Sequence, residues 1–284
     1  MTDVAQGLKQ LTVEQLRQGM QVNDKTNPLV GLEGRCALLN RLGEAVEKQS
    51  TYFPPTSAGV CRPGCLLDFL LQHARQEKEG KTVVRMETMW EAVIQGFQEV
   101  WPATRTQIQG VSMGDVWPCD VLSSDGSLGV SHLVPFHKLS QWLTYSLMEP
   151  LEKWMNMKFE DLHLMTGLPE YRNGGLFVDF GVLKLKAKEV ERGLVFAQSK
   201  GADPNVPLFE PSDPVIIEWR AMTVALLDLV GSQVRERFGM TAEELPLVKV
   251  LEGGTWKAGR EIAAKKRPQT RGPPIQIYSD GTVF

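Results

Sequence analysis

The stretch from residue 213 to residue 231 constrains the fold most strongly, because it predicts a helix that has almost no polar face. Asp213 is a typical N-cap residue, and Pro214 is favoured at the first helical position. The rest of the stretch contains only three charged residues, which are Glu218, Arg220 and Asp228. A helix that is apolar on nearly every side belongs in the interior of a protein. The sequence therefore predicts a core assembled around this helix.

Glu218 and Arg220 leave this helix from largely apolar faces if it has 3.6 residues per turn. A buried charge needs a partner or a polar cavity, because its transfer out of water is costly. Two interpretations remain open. The two residues either anchor a loop by pairing with residues such as Arg172 and Glu170, or they bind a substrate directly.

Helical spacing recurs in three other segments, at residues 32–46, 86–101 and 135–155. Pro102 should end the second of these helices, and Pro150 should kink or divide the third. The sequence therefore predicts a mainly α-helical protein.

Extended structure is predicted at few places. Residues 200–211 show no apolar periodicity and are predicted to form a surface excursion, whereas the alternation of Ile275 and Ile277 predicts a short strand. Asp125-Gly126 and Asp280-Gly281 have the composition of turns. We expect a single domain over residues 1–284, or two sub-lobes at 1–130 and 131–284.

Composition and charge exclude several classes of protein. The 284-residue chain is 42% hydrophobic and 23% charged, which is typical of a globular protein. Its net charge is −3 and no basic run is longer than residues 265–267, so nucleic acid is not an expected partner. No apolar run reaches the ~18 residues of a membrane-spanning helix. Four cysteines without a C-x-x-C pair, and an N-terminus without an apolar signal core, predict a cytoplasmic location.

A second informative stretch, residues 168–183, places ionisable side chains around a pair of glycines before the chain turns apolar. A segment that enters a core with so many ionisable groups is a candidate functional site. The candidate residues are Glu170, Tyr171, Arg172, Asn173 and Asp179.

The chemistry of these residues leaves several roles open. Glu170 could serve as a catalytic carboxylate or base, and Asp179 is the second nearby acid. A helix beginning near Gly175 could instead bring Asp179 to the surface or to a cap. Arg172 could hold a phosphate or a urea carbonyl through planar hydrogen bonds, or it could form a salt bridge with Glu218.

Residues elsewhere carry weaker signals. Tyr171 and Trp219 could stack on a base or sugar, or could belong to the core. His137 precedes a helix, where an imidazole could act as acid or base or donate to a carbonyl group. Arg62 follows a glycine-bearing loop before a helix and could face an anion there, while Thr255 is expected to be an N-cap.

No metal site and no cofactor are expected. Cys61 and Cys65 lie four residues apart, but the sequence offers no evident third and fourth ligand. The four scattered histidines also lack a metal-binding pattern, which argues against a ring-opening amidohydrolase that depends on a metal.

Long motifs spread over the chain resemble the fungal and bacterial uracil-catabolism family, a domain of unknown function linked to the pathway that opens uracil and releases urea. The motifs are GLEGRCALLNRLGE, VPFHKLSQWLTYSLMEPLE, TGLPEYRNGG, EWRAMTVALLD, LPLVKVLEGGTWKAGR and the closing SDGTVF. Members of that family usually carry an additional N-terminal segment with Trp- and Asp-rich motifs, which we expect this chain to lack.

A shorter pattern resembles the queuosine salvage nucleosidases, whose fold is similar to that of the helical DNA glycosylases. Their Asp-Tyr-Arg motif, followed by Gly-x-Leu, is similar to residues 170–172 with Gly181 and Leu183, and their Glu-x-Arg is similar to residues 218–220. The acidic residue of their first motif is the one credited with catalysis. The resemblance therefore implies a helical glycosylase-like fold with Glu170 as the catalytic residue.

Together the two resemblances imply a protein of pyrimidine catabolism that hydrolyses an N-ribosyl bond in a nucleoside-like substrate such as ribosylurea or its phosphate. The alternative is a non-catalytic ligand-binding or partner protein of the same pathway. An oligomer or a complex with a pathway enzyme is compatible with either function. The expected catalytic residues are Glu170 and Asp179, and the expected substrate-binding residues are Tyr171, Arg172, Asn173, Glu218, Arg220, Arg62 and His137.

Overall fold

The computed structural model describes residues 4–122 and 130–278 of the chain. Its helices are α1 (Val4–Lys9), α2 (Val13–Gly19), α3 (Leu32–Lys48), α4 (Leu66–Gln72), α5 (Met86–Gly96), α6 (Lys138–Met155), α7 (Tyr171–Asp179), α8 (Ala187–Ser199), α9 (Pro214–Phe238), α10 (Leu247–Val250) and α11 (Trp256–Lys266). Its strands are β1 (Arg75–Gln76), β2 (Thr82–Arg85), β3 (Gln107–Ile108), β4 (Val111–Ser112), β5 (Val116–Pro118), β6 (Leu133–Pro135), β7 (Met157–Glu160), β8 (Leu208–Phe209) and β9 (Gln276–Ile277). The prediction of a mainly α-helical protein with a few short strands is confirmed.

The chain forms two compact units, and each is built from separate stretches of sequence. The described part of the first unit comprises residues 4–115 and 139–164, and that of the second comprises residues 116–122, 130–138 and 165–278. The turns predicted at Asp125-Gly126 and Asp280-Gly281, and the closing SDGTVF motif, lie outside the described residues. In the part of the chain that the structure describes, no helix is both long and apolar enough to cross a membrane.

In the first unit, α3 packs against α1 and α2. Leu16, Leu32 and Cys36 form a buried cluster at this contact, which confirms the helix predicted over residues 32–46. A small sheet lies elsewhere in the unit, where β2 pairs in parallel with β7 and antiparallel with β1.

One predicted helix boundary in this unit is wrong. The helix α5 ends at Gly96, before Pro102, because Phe97 leaves the helix and packs edge to face against Phe53 with ring centroids 5.3 Å apart. Pro150 does not divide α6, which continues to Met155. Ser146, whose carbonyl loses its helical partner to the proline ring, is exposed and can bond water instead.

In the second unit, α9 begins where the sequence predicts. The side chain of Asp213 accepts a hydrogen bond of 3.0 Å from the backbone N–H of Val215, and Pro214 occupies the first turn. One side of α9 enters two apolar clusters of the core. Their fully or nearly fully buried residues are Leu168, Phe177, Leu227 and Leu251 in one cluster, and Phe209, Ile216, Trp219 and Ile275 in the other.

The prediction that α9 is buried on nearly every side is wrong. Met222 is 46% exposed and Leu229 is 60% exposed. Glu218, one turn before Met222, is also exposed. The sequence does not reveal this, because much of any protein surface is apolar and an exposed leucine looks the same as a buried one. Arg220, in contrast, is buried as expected, with 5% of its surface accessible.

The surface excursion predicted over residues 200–211 is confirmed only in part, because residues 200–205 are exposed or half-buried. Residues 206–209 are buried, and β8 pairs in parallel with β9. Phe209 packs in the same cluster as Ile275, so this segment belongs to the core. The apolar run at residues 206–209 is too short to show a strand or helix period in the sequence. It can be assigned to a strand only from its pairing with β9, which is distant in the chain. The extended piece predicted at Ile275 and Ile277 is confirmed.

Candidate functional site

Glu170 occupies the N-cap of α7, and both of its carboxylate oxygens accept hydrogen bonds from the backbone. Oε2 accepts from the N–H of Arg172 at 2.8 Å, and Oε1 accepts from the N–H of Asn173 at 2.5 Å. The helix therefore begins at Tyr171 rather than near Gly175. A carboxylate at this position satisfies two backbone donors that a helix leaves without partners and lies at the positive end of the helix dipole.

The surroundings of Glu170 raise the pKa of its side chain. Burial raises the pKa of its carboxyl group above the ordinary glutamate value, although the two backbone hydrogen bonds and the positive charges of Lys138 and Arg172 act in the opposite direction. Desolvation outweighs these favourable interactions. Glu170 therefore has the kind of raised pKa that is common among catalytic carboxyl groups.

Three basic residues surround the first turn of α7. Lys138 is buried and lies close enough to act on the charge of Glu170. The Nη1 group of Arg172 donates to the carbonyl of Arg271 at 3.0 Å, and its guanidinium lies over the Tyr171 ring at 4.7 Å.

Arg220 completes this group from α9. Its guanidinium carbon lies 4.1 Å from the centre of the Phe136 ring, and its Nε is 3.4 Å from the carbonyl oxygen of Pro169. Pro169 directly precedes Glu170, so Arg220 supports the residue next to the carboxylate. The structure thus places Arg220 beside the segment that leads to Glu170.

Lys138 is not among the site residues predicted from the sequence, although the sequence contains a signal for it. Lys138 is the first residue of α6, and the first turn of that helix contains no acidic residue. A lysine is unfavourable there, because the helix dipole places partial positive charge at the N-terminus. Its burial beside a carboxylate provides the compensating interaction.

His137, the residue before Lys138, has a φ of 47°, a left-handed backbone conformation that is uncommon outside glycine.

Asn173 connects Glu170 to a distant part of the chain. Its Nδ2 group donates to the carbonyl of Leu168 at 3.0 Å, and its Oδ1 accepts from the hydroxyl of Thr255 at 2.8 Å. Both Asn173 and Thr255 are almost fully buried. The prediction that Thr255 is an N-cap is wrong, because a π-helical segment, Leu251–Thr255, joins α10 to α11 without a break. Such π-helical turns are frequent at functional sites.

Two close contacts with the backbone of α7 hold this helix in place. The indole Nε1 of Trp219 donates to the carbonyl of Gly174 at 3.1 Å, so the buried ring of this tryptophan packs against α7. On another side, a Cβ atom at Gly259 of α11 would lie 2.3 Å from the carbonyl oxygen of Arg172. Only glycine allows α11 to approach the first turn of α7 so closely.

Asp179 ends α7 in a buried ion pair and is neither at the surface nor at a cap. Its two oxygens accept from Nη1 and Nη2 of Arg267 at 2.9 and 2.5 Å, and its carbonyl accepts from Nζ of Lys266. The side chain of Asp179 is only 4% exposed. This ion pair attaches α11 to the C-terminal end of α7.

Glu218 lies in a different environment. It lines a cleft of about 460 Å³, which we call the α8–α9 cleft. The cleft is formed by Val178, residues 183–186, 188, 189 and 192, and the α9 face from Asp213 to Met222. Neither Glu170 nor Arg220 belongs to this lining. The salt bridge expected between Arg172 and Glu218 is not formed, because Arg172 bonds a carbonyl instead.

Arg62 belongs to the other compact unit of the chain. It is exposed in the first unit, directly before a 3₁₀ turn, Pro63–Cys65, whereas Glu170 belongs to the second unit. Tyr171 is 38% exposed and carries the Arg172 guanidinium on its ring. Among the residues that the structure describes, no group of three or more His, Cys, Asp or Glu side chains could hold a metal ion.

Comparison with known proteins adds the family. Over residues 2–284 the chain matches the family described as "Protein of unknown function (DUF1688)". The chain belongs to this family. Two curated proteins resemble this DUF1688 chain over 98% of its length. They are Uracil catabolism protein 4 of Lachancea kluyveri, 44% identical over 281 residues, and Protein urg3 of Schizosaccharomyces pombe, 39% identical over 278 residues. The resemblance to uracil-catabolism proteins is therefore confirmed, although the match spans only 62% and 60% of the two relatives' lengths.

Proposed function

We propose that this chain acts in uracil catabolism and hydrolyses the N-ribosyl bond of a uracil-breakdown intermediate such as ribosylurea or its phosphate. The pathway rests on the name of the relative Uracil catabolism protein 4. The reaction rests on one observation, the environment of Glu170. Its carboxyl group is fixed by two backbone N–H groups and has a pKa that burial raises.

The chemistry of N-ribosyl hydrolysis requires such a group. As the bond between C1′ and nitrogen breaks, positive charge develops on the sugar, and a nearby carboxylate stabilises it. Water then forms a bond to C1′ and loses a proton to Glu170, which returns the proton to the leaving nitrogen. Each carboxylate oxygen has a second lone pair beyond the one used by the backbone, so capping α7 and accepting this proton are compatible.

Cationic residues around Glu170 suit a substrate that carries a phosphate or a urea carbonyl. The guanidinium of Arg172 offers planar donors for either group, and its stacking on Tyr171 fixes the plane. Lys138 adds a buried positive charge on the same region. Arg220 is held between Phe136 and Pro169 and keeps the segment before Glu170 in position.

A second candidate function is a non-catalytic ligand-binding or partner protein of the same pathway. The capping geometry favours this alternative. Both oxygens of Glu170 accept hydrogen bonds from the backbone, and an N-cap residue with a purely structural role would make the same bonds. Substitution of Glu170 separates the two functions, since an enzyme would lose turnover while a binding protein would change only its affinity.

The test is incubation of the purified chain with ribosylurea, its 5′-phosphate, uridine and uridine 5′-monophosphate, with free urea, uracil and ribose measured by mass spectrometry. We expect release of urea that falls by about 10²–10⁴-fold in Glu170→Gln, the range for loss of an acid–base group. Glu244→Gln is the matched control, because Glu244 also accepts a backbone N–H, from Thr241 at 2.8 Å, but is exposed.

Each outcome decides between the two functions. Release of urea or uracil that persists in Glu244→Gln and is lost in Glu170→Gln establishes the hydrolase. Thermal stabilisation by one of these compounds without any turnover establishes the binding protein. Turnover that is unchanged in Glu170→Gln removes Glu170 from the mechanism.

A further inference from the structure

The α8–α9 cleft is a separate concave region whose lining is partly apolar and partly charged. Its volume of about 460 Å³ falls within the range of roughly 300–1,000 Å³ that is usual for small-molecule sites. The apolar part of the lining consists of Val178, Leu183, Leu185, Val215, Trp219 and Met222. This apolar wall can cover the ring of a ligand of nucleotide size.

Part of the charged lining is neutralised within the protein. Arg192 donates to both oxygens of Asp213, at 2.6 and 2.9 Å, and its Nε donates to Glu189 at 2.7 Å. Lys188 lies 3.8 Å from Glu189 as well. These four side chains form a fixed network across the start of α8 and the start of α9, and they leave little net charge for a ligand.

The remaining charged residues of the lining are not neutralised. Lys184, Lys186 and Glu218 are all exposed, and none of them forms an ion pair with another residue in the described parts of the chain. The two lysines come from the segment before α8, whereas Glu218 comes from the second turn of α9. The cleft thus offers two positive charges on one wall and one hydrogen-bond-accepting carboxylate on another.

We propose that the α8–α9 cleft is a second ligand site, distinct from the Glu170 region, and that it binds a phosphorylated nucleoside. The phosphate would contact Lys184 and Lys186, the base and sugar carbon atoms would pack against the apolar wall, and N–H or hydroxyl groups would donate to Glu218. Inorganic phosphate would leave the apolar wall uncovered. A fatty acid would leave the Glu218 carboxylate facing hydrocarbon without a donor, which is unfavourable.

Titration calorimetry on the full chain tests this site. The ligands are uridine 5′-monophosphate, adenosine 5′-monophosphate, uridine, ribose 5-phosphate and inorganic phosphate. We expect a nucleoside monophosphate to bind more tightly than uridine or either simple phosphate. The Lys184→Ala/Lys186→Ala double variant should weaken binding roughly tenfold or more, since each lysine supplies a charged contact to the phosphate. Glu218→Gln should also weaken it.

Matched controls separate this site from the Glu170 region. Lys257→Ala/Lys265→Ala removes the same charge from exposed positions of α11 outside the cleft and should leave binding unchanged. In the Glu170→Gln background, where hydrolysis is suppressed, the cleft double variant should weaken binding by the same factor. Hydrogen exchange should show ligand protection in residues 183–192 and 213–222. All these lysines are exposed, so thermal melting is expected to show that the variants remain folded.

Three results would overturn the second site. One is the absence of saturable binding of either nucleoside monophosphate up to about 1 mM, the limit of a weak specific complex. Another is binding that Glu170→Gln abolishes and the cleft double variant leaves intact, which places the ligand at Glu170 and leaves the proposed hydrolase standing. The third is equally tight binding of inorganic phosphate. Absence of turnover in the hydrolase assay would not contradict the second site, because its test is the binding of ligands and does not require hydrolysis.

Discussion

The hydroxyl of Thr255 donates a hydrogen bond of 2.8 Å to Oδ1 of Asn173, which precedes it by 82 positions in the sequence. Asn173 in turn gives its backbone N–H to Glu170. The bond therefore ties the π-helical segment before α11 to the N-cap of α7. It is also buried at both ends, so water cannot replace it.

Removing the Thr255 hydroxyl should destabilise the protein. Thr255→Val keeps the shape of the side chain but leaves the buried Oδ1 of Asn173 without its donor, which costs about 1–3 kcal/mol. Thr255→Ser keeps the hydroxyl and should recover most of that loss. Urea unfolding of the two variants measures the difference. Equal stability of the valine and serine variants would show that the hydrogen bond contributes nothing.

The pKa of Glu170 predicts a pH dependence of stability. Because burial raises this pKa, the folded state binds the proton more tightly than the unfolded state does. The stability contributed by Glu170 is fully present below the unfolded-state value, about 4.3, and is lost as the pH rises through the raised folded value. The unfolding free energy of the wild type relative to Glu170→Gln should therefore fall across this window.

Glu244 provides a control of opposite sign for the same experiment. Hydrogen bonds from the backbone and side chain of Thr241 lower the pKa of the Glu244 carboxyl group. The stability it contributes is present above the unfolded-state value and is lost as the pH falls through the folded value. The wild type should therefore gain stability relative to Glu244→Gln as the pH rises. A parallel trend for the two glutamates would contradict the assigned direction for Glu170.

The Asp179–Arg267 pair should contribute strongly to stability. Arg267→Met leaves the Asp179 carboxylate buried without its partner, and loss of one member of a buried pair costs about 3–5 kcal/mol. The exposed pair between Arg75 and Glu160, with a similar distance of 2.6 Å, provides the comparison. Arg75→Met should have a much smaller effect, because solvent screens an exposed pair. Denaturation midpoints that shift equally in both variants would refute the role of burial.

Two glycines of one helical region should respond in opposite ways to alanine. Gly259→Ala places a Cβ against the carbonyl of Arg172 and should destabilise the protein by about 1–3 kcal/mol. Gly254 has open space around its Cβ position, so Gly254→Ala should be stabilising by roughly 0.5–1 kcal/mol. Thermal melting of both variants checks the prediction, and a neutral Gly259→Ala would mean that α11 moves away at little cost.

The sequence predicts local features well where neighbouring residues determine them. The N-cap at Asp213 and the start of α9 follow from residue types that act within one turn, and the helix at residues 32–46 follows from its apolar period. The start of α7 at Tyr171 is also set locally, by Glu170, although the sequence alone leaves open a start near Gly175. The capping of α7 by Glu170 needs only the next three residues.

Features that depend on distant partners are not visible in the sequence. Asp179 could be read as a second catalytic acid because Arg267 lies 88 positions away, and nothing local marks the two as a pair. Glu218 and Arg220 are two residues apart on one helix, yet one is exposed and the other is buried. The helical period shows that both leave from apolar faces, but only the packing of neighbouring elements decides which face is covered.

The pairing of β8 with β9 has a consequence for the order in which the protein acquires its structure. The side-chain Nε2 of Gln276 donates to the carbonyl of Val206, 70 positions earlier. Ile275 is fully buried and packs in the same cluster as Phe209. During synthesis, residues 206–209 leave the ribosome long before the strand that covers them. The apolar segment must therefore remain uncovered until residues 275–277 have also left the ribosome, and the second unit can close only then.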